Sequence, residues 1–563
     1  MECPNLILSN DTYDTIVSRD EAQQNRTEPL CRQPVDDTYE IWYYDRMKVP
    51  PLSIGDYSYS SIPKCFYLMD STSMEISGIT ALQNNPTLSL KGQGVFVGII
   101  DTGIDYTNHL FKRPDGKSRI TAIWDQTADP NQVGYPSPQG FLYGAEYTNS
   151  QLNRALEAED PYTLVPQRDE LGHGTYLASL AAGNVDEAND FLGAAPESDI
   201  LVVKLKPAKQ NLRDFFYLSS TTPIYQENDI MTAISYLHQV AAREGKPLCI
   251  LIGLGSNQGS HAGSGPLSLL CDRIGEARGR CIVIPSGNQA AKRHHFYGEA
   301  TSVLSPVRVE MDVEESSPGF CMELWAFAPE LVRVVIQSPT GQQSEGRFPI
   351  SEETQTTRFV FENTMVSVDY RIAGRERGDQ LIFFRFSNVV KGIWTLLVYP
   401  ENAITGAFHI WLPIREETED DITFIRPNPD TTLTNPSSAR IPITTGGYNG
   451  ITDALYLDSG RGFNALGQVK PDFCAPCVEV QGAGLRDNFV TFTGTSGAAA
   501  ITAGACAQVL QWGILGGNAL GMNTVEVKNT LIRGCRRDGQ MPYPNRELGF
   551  GKLDVYQSFE NLR

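Results

Sequence analysis

Thr493-Gly494-Thr495-Ser496-Gly497-Ala498-Ala499-Ala500 is the stretch on which the reading of this chain turns. Turn-forming residues precede a serine, and the small residues from Gly497 through Ala507 predict a tightly packed helix after it. A hydroxyl at a loop-to-helix junction lies near the positive end of the helix dipole, where developing negative charge is favoured. The same position also suits a helix cap, because serine is a preferred capping residue. Taken alone, Ser496 reads as either a nucleophile or a cap.

Two upstream segments tip the balance. In Gly94-Val95-Phe96-Val97-Gly98-Ile99-Ile100-Asp101-Thr102-Gly103 an apolar run predicts a buried strand that delivers Asp101 to its C-terminal end. Ligands and chemistry in open α/β sheets collect at that edge. In Gly172-His173-Gly174-Thr175-Tyr176-Leu177-Ala178-Ser179 a histidine sits between two glycines, just ahead of a second small-residue helix. Asp, then His, then Ser, each inside an extended local pattern, is an arrangement suited to nucleophilic catalysis.

From about Gly94 to Asp554 the chain resembles the subtilisin-like serine proteases, the subtilases. Gly193-Ala194-Ala195-Pro196-Glu197 with Ile200-Leu201-Val202-Val203-Lys204 is similar to the family's loop and strand after the histidine helix. Lys470-Pro471-Asp472 with Ala475-Pro476, and the closing Gly549-Phe550-Gly551-Lys552-Leu553-Asp554, match two further family segments. The resemblance implies that Ser496 attacks a peptide carbonyl, His173 carries the proton, and Asp101 orients the imidazole. It also implies an oxyanion hole formed by Asn288, in Ile284-Pro285-Ser286-Gly287-Asn288, and the backbone N–H of Ser496. The other reading of Asn288 is a turn residue. Gly253, Leu254 and Gly255 correspond to the family's exposed edge that pairs with the substrate backbone, or else to a glycine-bearing buried strand. After Ser496 the sequence departs from the family's Met-Ala-x-Pro, which removes a rigid proline but no catalytic atom.

With 563 residues, 41% of them hydrophobic, the chain is long enough for two or three domains and a large core. A formal charge of −20 argues against nucleic acid or an anionic membrane surface as partner. No apolar run reads as long enough to span a bilayer. The expected partners are a protein or peptide substrate and the chain's own N-terminal segment. Met1-Glu2-Cys3-Pro4-Asn5-Leu6-Ile7-Leu8 is too short and acidic for a secretory signal, which predicts a cytoplasmic, spore-associated protein. The eleven cysteines follow no disulfide framework and read as mostly reduced thiols. Cys474-x-x-Cys477 lacks a second pair; structural thiols stand there against a metal or redox pair. No metal or cofactor is expected.

Strands near 94–101, 199–204, 248–254 and 280–285, with a helix near 229–244, predict a doubly wound parallel sheet. Residues 1–75 read as a short prodomain removed near 60–80, or as an extension that stays attached. Between Asn288 and Ser496 the pattern shifts to short β-type runs from Val307–Val313 to Ala407–Leu412, separated by turns such as Ser338-Pro339-Thr340-Gly341. These predict an inserted all-β sandwich, a jelly roll. The expected fold is therefore α/β: a doubly wound parallel-sheet subtilisin-like domain (76–305 and 436–563), a jelly-roll insert (306–435) and the prodomain. Such an insert, without a signal peptide, resembles the clostridial Csp-type germination proteases, whose active members cut the precursor of a spore cortex hydrolase. Two functional classes follow: an active serine endopeptidase, or a sensor on the same fold with an occluded triad. Lys292-Arg293-His294-His295 reads as a solvated basic turn or a border of the specificity pocket.

Overall fold

The computed structural model describes residues 3–19, 28–68, 75–86, 88–218, 221–346, 354–373, 378–402, 404–417 and 421–562. Its centre is an eight-stranded sheet built from β1 (Phe96–Asp101), β2 (Ile120–Asp125), β3 (Ala145–Thr148), β4 (Asp199–Lys204), β5 (Leu248–Ile252), β6 (Arg280–Pro285), β7 (Ile443–Tyr448) and β8 (Phe473–Pro476). The strand order is β8-β7-β6-β5-β1-β4-β2-β3. All neighbouring pairs are parallel except β2–β3 at one edge. The apolar runs of the sequence become strands buried on both faces, as a parallel sheet covered by helices requires.

One face is covered by the helices His173–Ala182 and Thr495–Leu510, the other by Glu227–Arg243 and Pro266–Glu276. Every residue of Thr495–Leu510 is buried, which explains its richness in Ala and other small residues. At Gly504 a Cβ would fall 2.3 Å from the Ala194 Cβ and 2.5 Å from the Ala181 carbonyl oxygen, so only glycine permits this packing. Extended by Gln511–Leu515, the helix runs 21 residues and is long and apolar enough to cross a membrane, contrary to the sequence reading. Some 78% of its apolar window is buried inside the fold, so that character belongs to the core.

Between His295 and Phe424 the chain forms two antiparallel sheets, of six and four strands, whose inner faces share one apolar core. The first strand, His295–Glu299, absorbs part of the basic run. His294 and His295 are buried, with their Nδ1 atoms against the carbonyl oxygens of Pro413 and Asn428, so the run is not a solvated turn.

The N-terminal segment packs a helix (Cys3–Leu8) and a three-stranded antiparallel sheet (Thr12–Ser18, Tyr39–Asp45, Cys31–Pro34) against Glu227–Arg243. Cys3 is joined to Cys31 by a disulfide, and the other nine cysteines are free and buried. Farther along, Tyr59 donates to the Glu323 carboxylate of the β insert at 2.6 Å, and Lys64 lies 3.7 Å from Glu227. Asp14 and Lys209 form a buried ion pair across the contact, where burial pulls the Lys209 ammonium below its usual range and Asp14 pulls it back. Lys209→Met leaves Asp14 buried without its cation. We expect a cost of about 3–5 kcal/mol, read as a lowered denaturation midpoint. A midpoint within experimental error of wild type would contradict the pair's stabilising role.

Candidate active site

Asp101 ends β1 and is fully buried. Its Oδ1 accepts the N–H of Thr102 and the Nδ1–H of His173, both at 2.8 Å. With Nδ1 as donor, the other ring nitrogen carries a lone pair, and this Nε2 lies 3.2 Å from the Ser496 hydroxyl oxygen. Strand end, helix start and helix start thus supply three side chains in one hydrogen-bonded line. Ser496 is the second residue of its helix, and the cap position belongs to Gly494, so the capping reading falls.

Two residues that the sequence reading did not single out hold this line in place. The Thr102 hydroxyl donates to Asp169 Oδ1 at 2.8 Å and accepts from the Gly174 N–H at 2.9 Å. Asp169 also accepts from the N–H groups of Leu171, Gly172 and Thr175 and from the Thr175 hydroxyl. The buried carboxylate thereby collects free donors at the start of the His173 helix, where a negative charge also meets the dipole favourably. It ties that helix to the strand bearing Asp101.

Asn288 follows β6, and its Oδ1 accepts from the Thr495 N–H at 3.0 Å. That bond fixes the amide and leaves its NH₂ as the donor end, next to the start of the Ser496 helix. The Gly287 N–H donates to Thr495 Oγ1 at 3.1 Å and locks the same junction.

Gly253 lies beneath the triad: a Cβ there would meet Asp101 Oδ2 at 2.5 Å and Leu177 Cδ1 at 2.4 Å. Its lack of a side chain serves the packing of Asp101 and His173. Leu254 and Gly255 leave the central sheet and pair antiparallel with Cys65–Leu68 of the N-terminal segment, Leu254 opposite Leu68 and Gly255 opposite Tyr67. The expected strand 248–254 is therefore broken at Gly253, and the edge predicted for substrate carries the chain's own backbone. Part of the expected cut region, residues 69–74, lies outside the described residues.

Lys470 and Asp472 pair at 2.8 Å in full burial, with Lys528 3.2 Å from the same carboxylate. Burial drives the Lys470 ammonium down to about 7, against the pull of Asp472. Asp472 also accepts from the Thr444 N–H of β7, so this motif braces the sheet edge instead of meeting substrate. Cys474 and Cys477 are buried, and burial pushes both thiols above the ordinary range.

A buried carboxylate, an imidazole and a serine in series, with an amide donor beside the serine, define the site of a serine-nucleophile hydrolase. The sequence model of the subtilase family matches residues 92–323 and 420–551, and the chain belongs to that family of peptidases. The CspB protease of Clostridium perfringens is similar in structure, with a TM-score of 0.75 and 27% identity over 87% of this chain and 96% of that one. The C5a peptidase of Streptococcus pyogenes serotype M1 is 22% identical over 440 residues, 74% of this chain. The PI-type proteinase of Lactococcus lactis subsp. cremoris is 23% identical over 237 residues, 40% of this chain. The chain spans only 34% and 11% of the lengths of these two curated relatives.

Proposed function

We propose that the chain is a serine endopeptidase that hydrolyses peptide bonds through an acyl-enzyme. The carrying observation is the unbroken hydrogen-bond line from Asp101 through His173 to Ser496. Ser496 Oγ attacks the scissile carbonyl while His173 Nε2 takes its proton. The same proton then passes to the leaving amine, and the acyl-enzyme is released by water activated at the same nitrogen. Asp101 holds the imidazole in the tautomer this requires and stabilises its cation. The negative oxygen of the tetrahedral intermediate is met by the Asn288 amide and the Ser496 backbone N–H. Asn288→Ala should lower kcat about 10²–10³-fold with little change in KM, because the donor acts on charge present only in the transition state. A variant within a factor of three of wild type would remove Asn288 from the mechanism.

Residues 1–75 are proposed to act as a prodomain that the enzyme cuts from itself. The reading is supported by the strand Cys65–Leu68, which lies along Leu254–Gly255 as a bound substrate would. The two antiparallel sheets between His295 and Phe424 are read as a jelly roll that braces the catalytic unit through apolar contacts. At that junction Trp325, Phe383 and Trp411 pack with Phe215, Phe216 and the N-terminal Leu52, Ile54 and Ile62. The substrate in trans is proposed to be a protein precursor, such as that of a spore cortex hydrolase; the structural likeness to CspB protease supports this reading. On this reading the protein works in the spore-forming cell, with neither nucleic acid nor membrane as partner.

The deciding experiment is intact mass of purified wild type beside Ser496→Ala. Loss of an N-terminal fragment ending within 60–80 in wild type alone is the expected result. Identical masses for the two proteins would end the self-processing proposal, and failure of a fluorophosphonate probe to label wild type would end the enzymatic one.

A further inference from the structure

The central sheet carries thiols that the hydrolytic chemistry does not use. Cys249 on β5 and Cys281 on β6 are direct neighbours in parallel register. Cys506, on the helix that begins at Thr495, reaches the same point from the covering layer. Their three sulfurs all lie within 4.8 Å of one another, and each residue is fully buried. No other three Cys, His, Asp or Glu side chains converge in this way among the described residues.

A buried cysteine is ordinarily a small apolar residue, and single ones need no further account. Three on separate elements with converging sulfurs form a donor set. An ion held by three sulfurs at about 2.3 Å keeps them about 4 Å apart, so closing this cluster around one needs shifts below about 1 Å. The set is all sulfur and has three members. Zinc in structural sites takes four ligands in a tetrahedron, and no fourth Cys, His, Asp or Glu joins this group among the described residues. Thiolate donors suit copper(I), zinc and iron–sulfur clusters, and of these a single copper(I) ion is the one that accepts three sulfur ligands without a fourth.

We propose that Cys249, Cys281 and Cys506 bind one copper(I) ion per chain in a trigonal sulfur site that pins the Ser496 helix to the sheet. Binding forms three copper–sulfur bonds and releases the displaced thiol protons to solvent, without change of oxidation state. The ion sits about ten residues along the helix from the nucleophile, so it stabilises the scaffold and takes no part in peptide hydrolysis.

The test is anaerobic titration of the reduced full chain with copper(I) buffered by bathocuproine disulfonate, and in parallel metal analysis of protein refolded with copper(I) present. We expect one equivalent, an X-ray absorption edge of three-coordinate copper bound to sulfur, and a raised denaturation midpoint. Loss of an outer-shell partner costs about 10–100-fold in metal affinity, so Cys249→Ala and Cys506→Ala should each weaken binding by at least about a hundredfold. Cys321→Ala, a buried thiol in the β insert, should bind as wild type does. The two ligand variants are independent, so one that fails to fold leaves the other to decide. Undiminished uptake by a folded ligand variant would overturn the site. So would no uptake by either loading route, and equal affinity for zinc would overturn its assignment to a soft ion.

Discussion

Ser496→Ala is expected to lower kcat about 10⁶-fold, the size of loss found when the serine of such a triad is removed. On the proposed mechanism the Ser496 hydroxyl forms the acyl bond, and it lies 3.2 Å from the His173 nitrogen that takes its proton. The variant keeps the Asn288 amide and the helix N-terminus, so a residual acceleration of about 10³–10⁴ over water should survive. Alanine fits the fully buried, small-residue helix, and the denaturation midpoint should stay near that of wild type. The comparison is kcat on a peptide selected from a library with wild-type enzyme. A variant retaining more than about one part in a hundred of wild-type turnover would exclude Ser496 as the nucleophile.

Asp101→Asn is expected to cost about 10⁴-fold in kcat, or about 5 kcal/mol of barrier, while the fold and KM stay nearly unchanged. Two donors, the Thr102 N–H and the His173 Nδ1–H, share Asp101 Oδ1. An asparagine can turn its NH₂ toward His173, which then accepts at Nδ1 and carries its hydrogen on Nε2. A protonated Nε2 cannot take the proton from Ser496. Asp169→Asn provides the contrast: it weakens the clamp on the histidine helix without touching the imidazole, and its smaller kcat loss should come with a lowered denaturation midpoint. An Asp101→Asn effect below about tenfold would mean that the tautomer is set elsewhere.

Much of the site could be read in the sequence because short-range rules place its members. An apolar run that ends in Asp101 predicts a buried strand with its last side chain at the sheet edge, and small-residue runs after His173 and Ser496 predict buried helices. Asp169 and Thr102 escaped because their work is the satisfaction of backbone donors, which depends on how two elements meet and leaves no periodic signal. The strand His295–Glu299 was hidden by its charge. His294 just ahead of it and His295, its first residue, read as polar, yet both rings meet backbone carbonyls, and His295 stacks 4.9 Å from Trp411. The break at Gly253 was invisible because a single glycine serves a strand and a strand's end equally well.

The pairing of Cys65–Leu68 with Leu254–Gly255 sets a rule for competition. While it belongs to the same covalent chain, that strand faces its groove at an effective concentration on the order of millimolar, whatever the protein's own dilution. An incoming polypeptide at micromolar levels loses that contest unless it binds about a thousandfold better. After a backbone cut between the strand and the catalytic unit, the contest becomes bimolecular and obeys mass action. Dilution would then unmask the groove, and accumulation of the released piece would close it again.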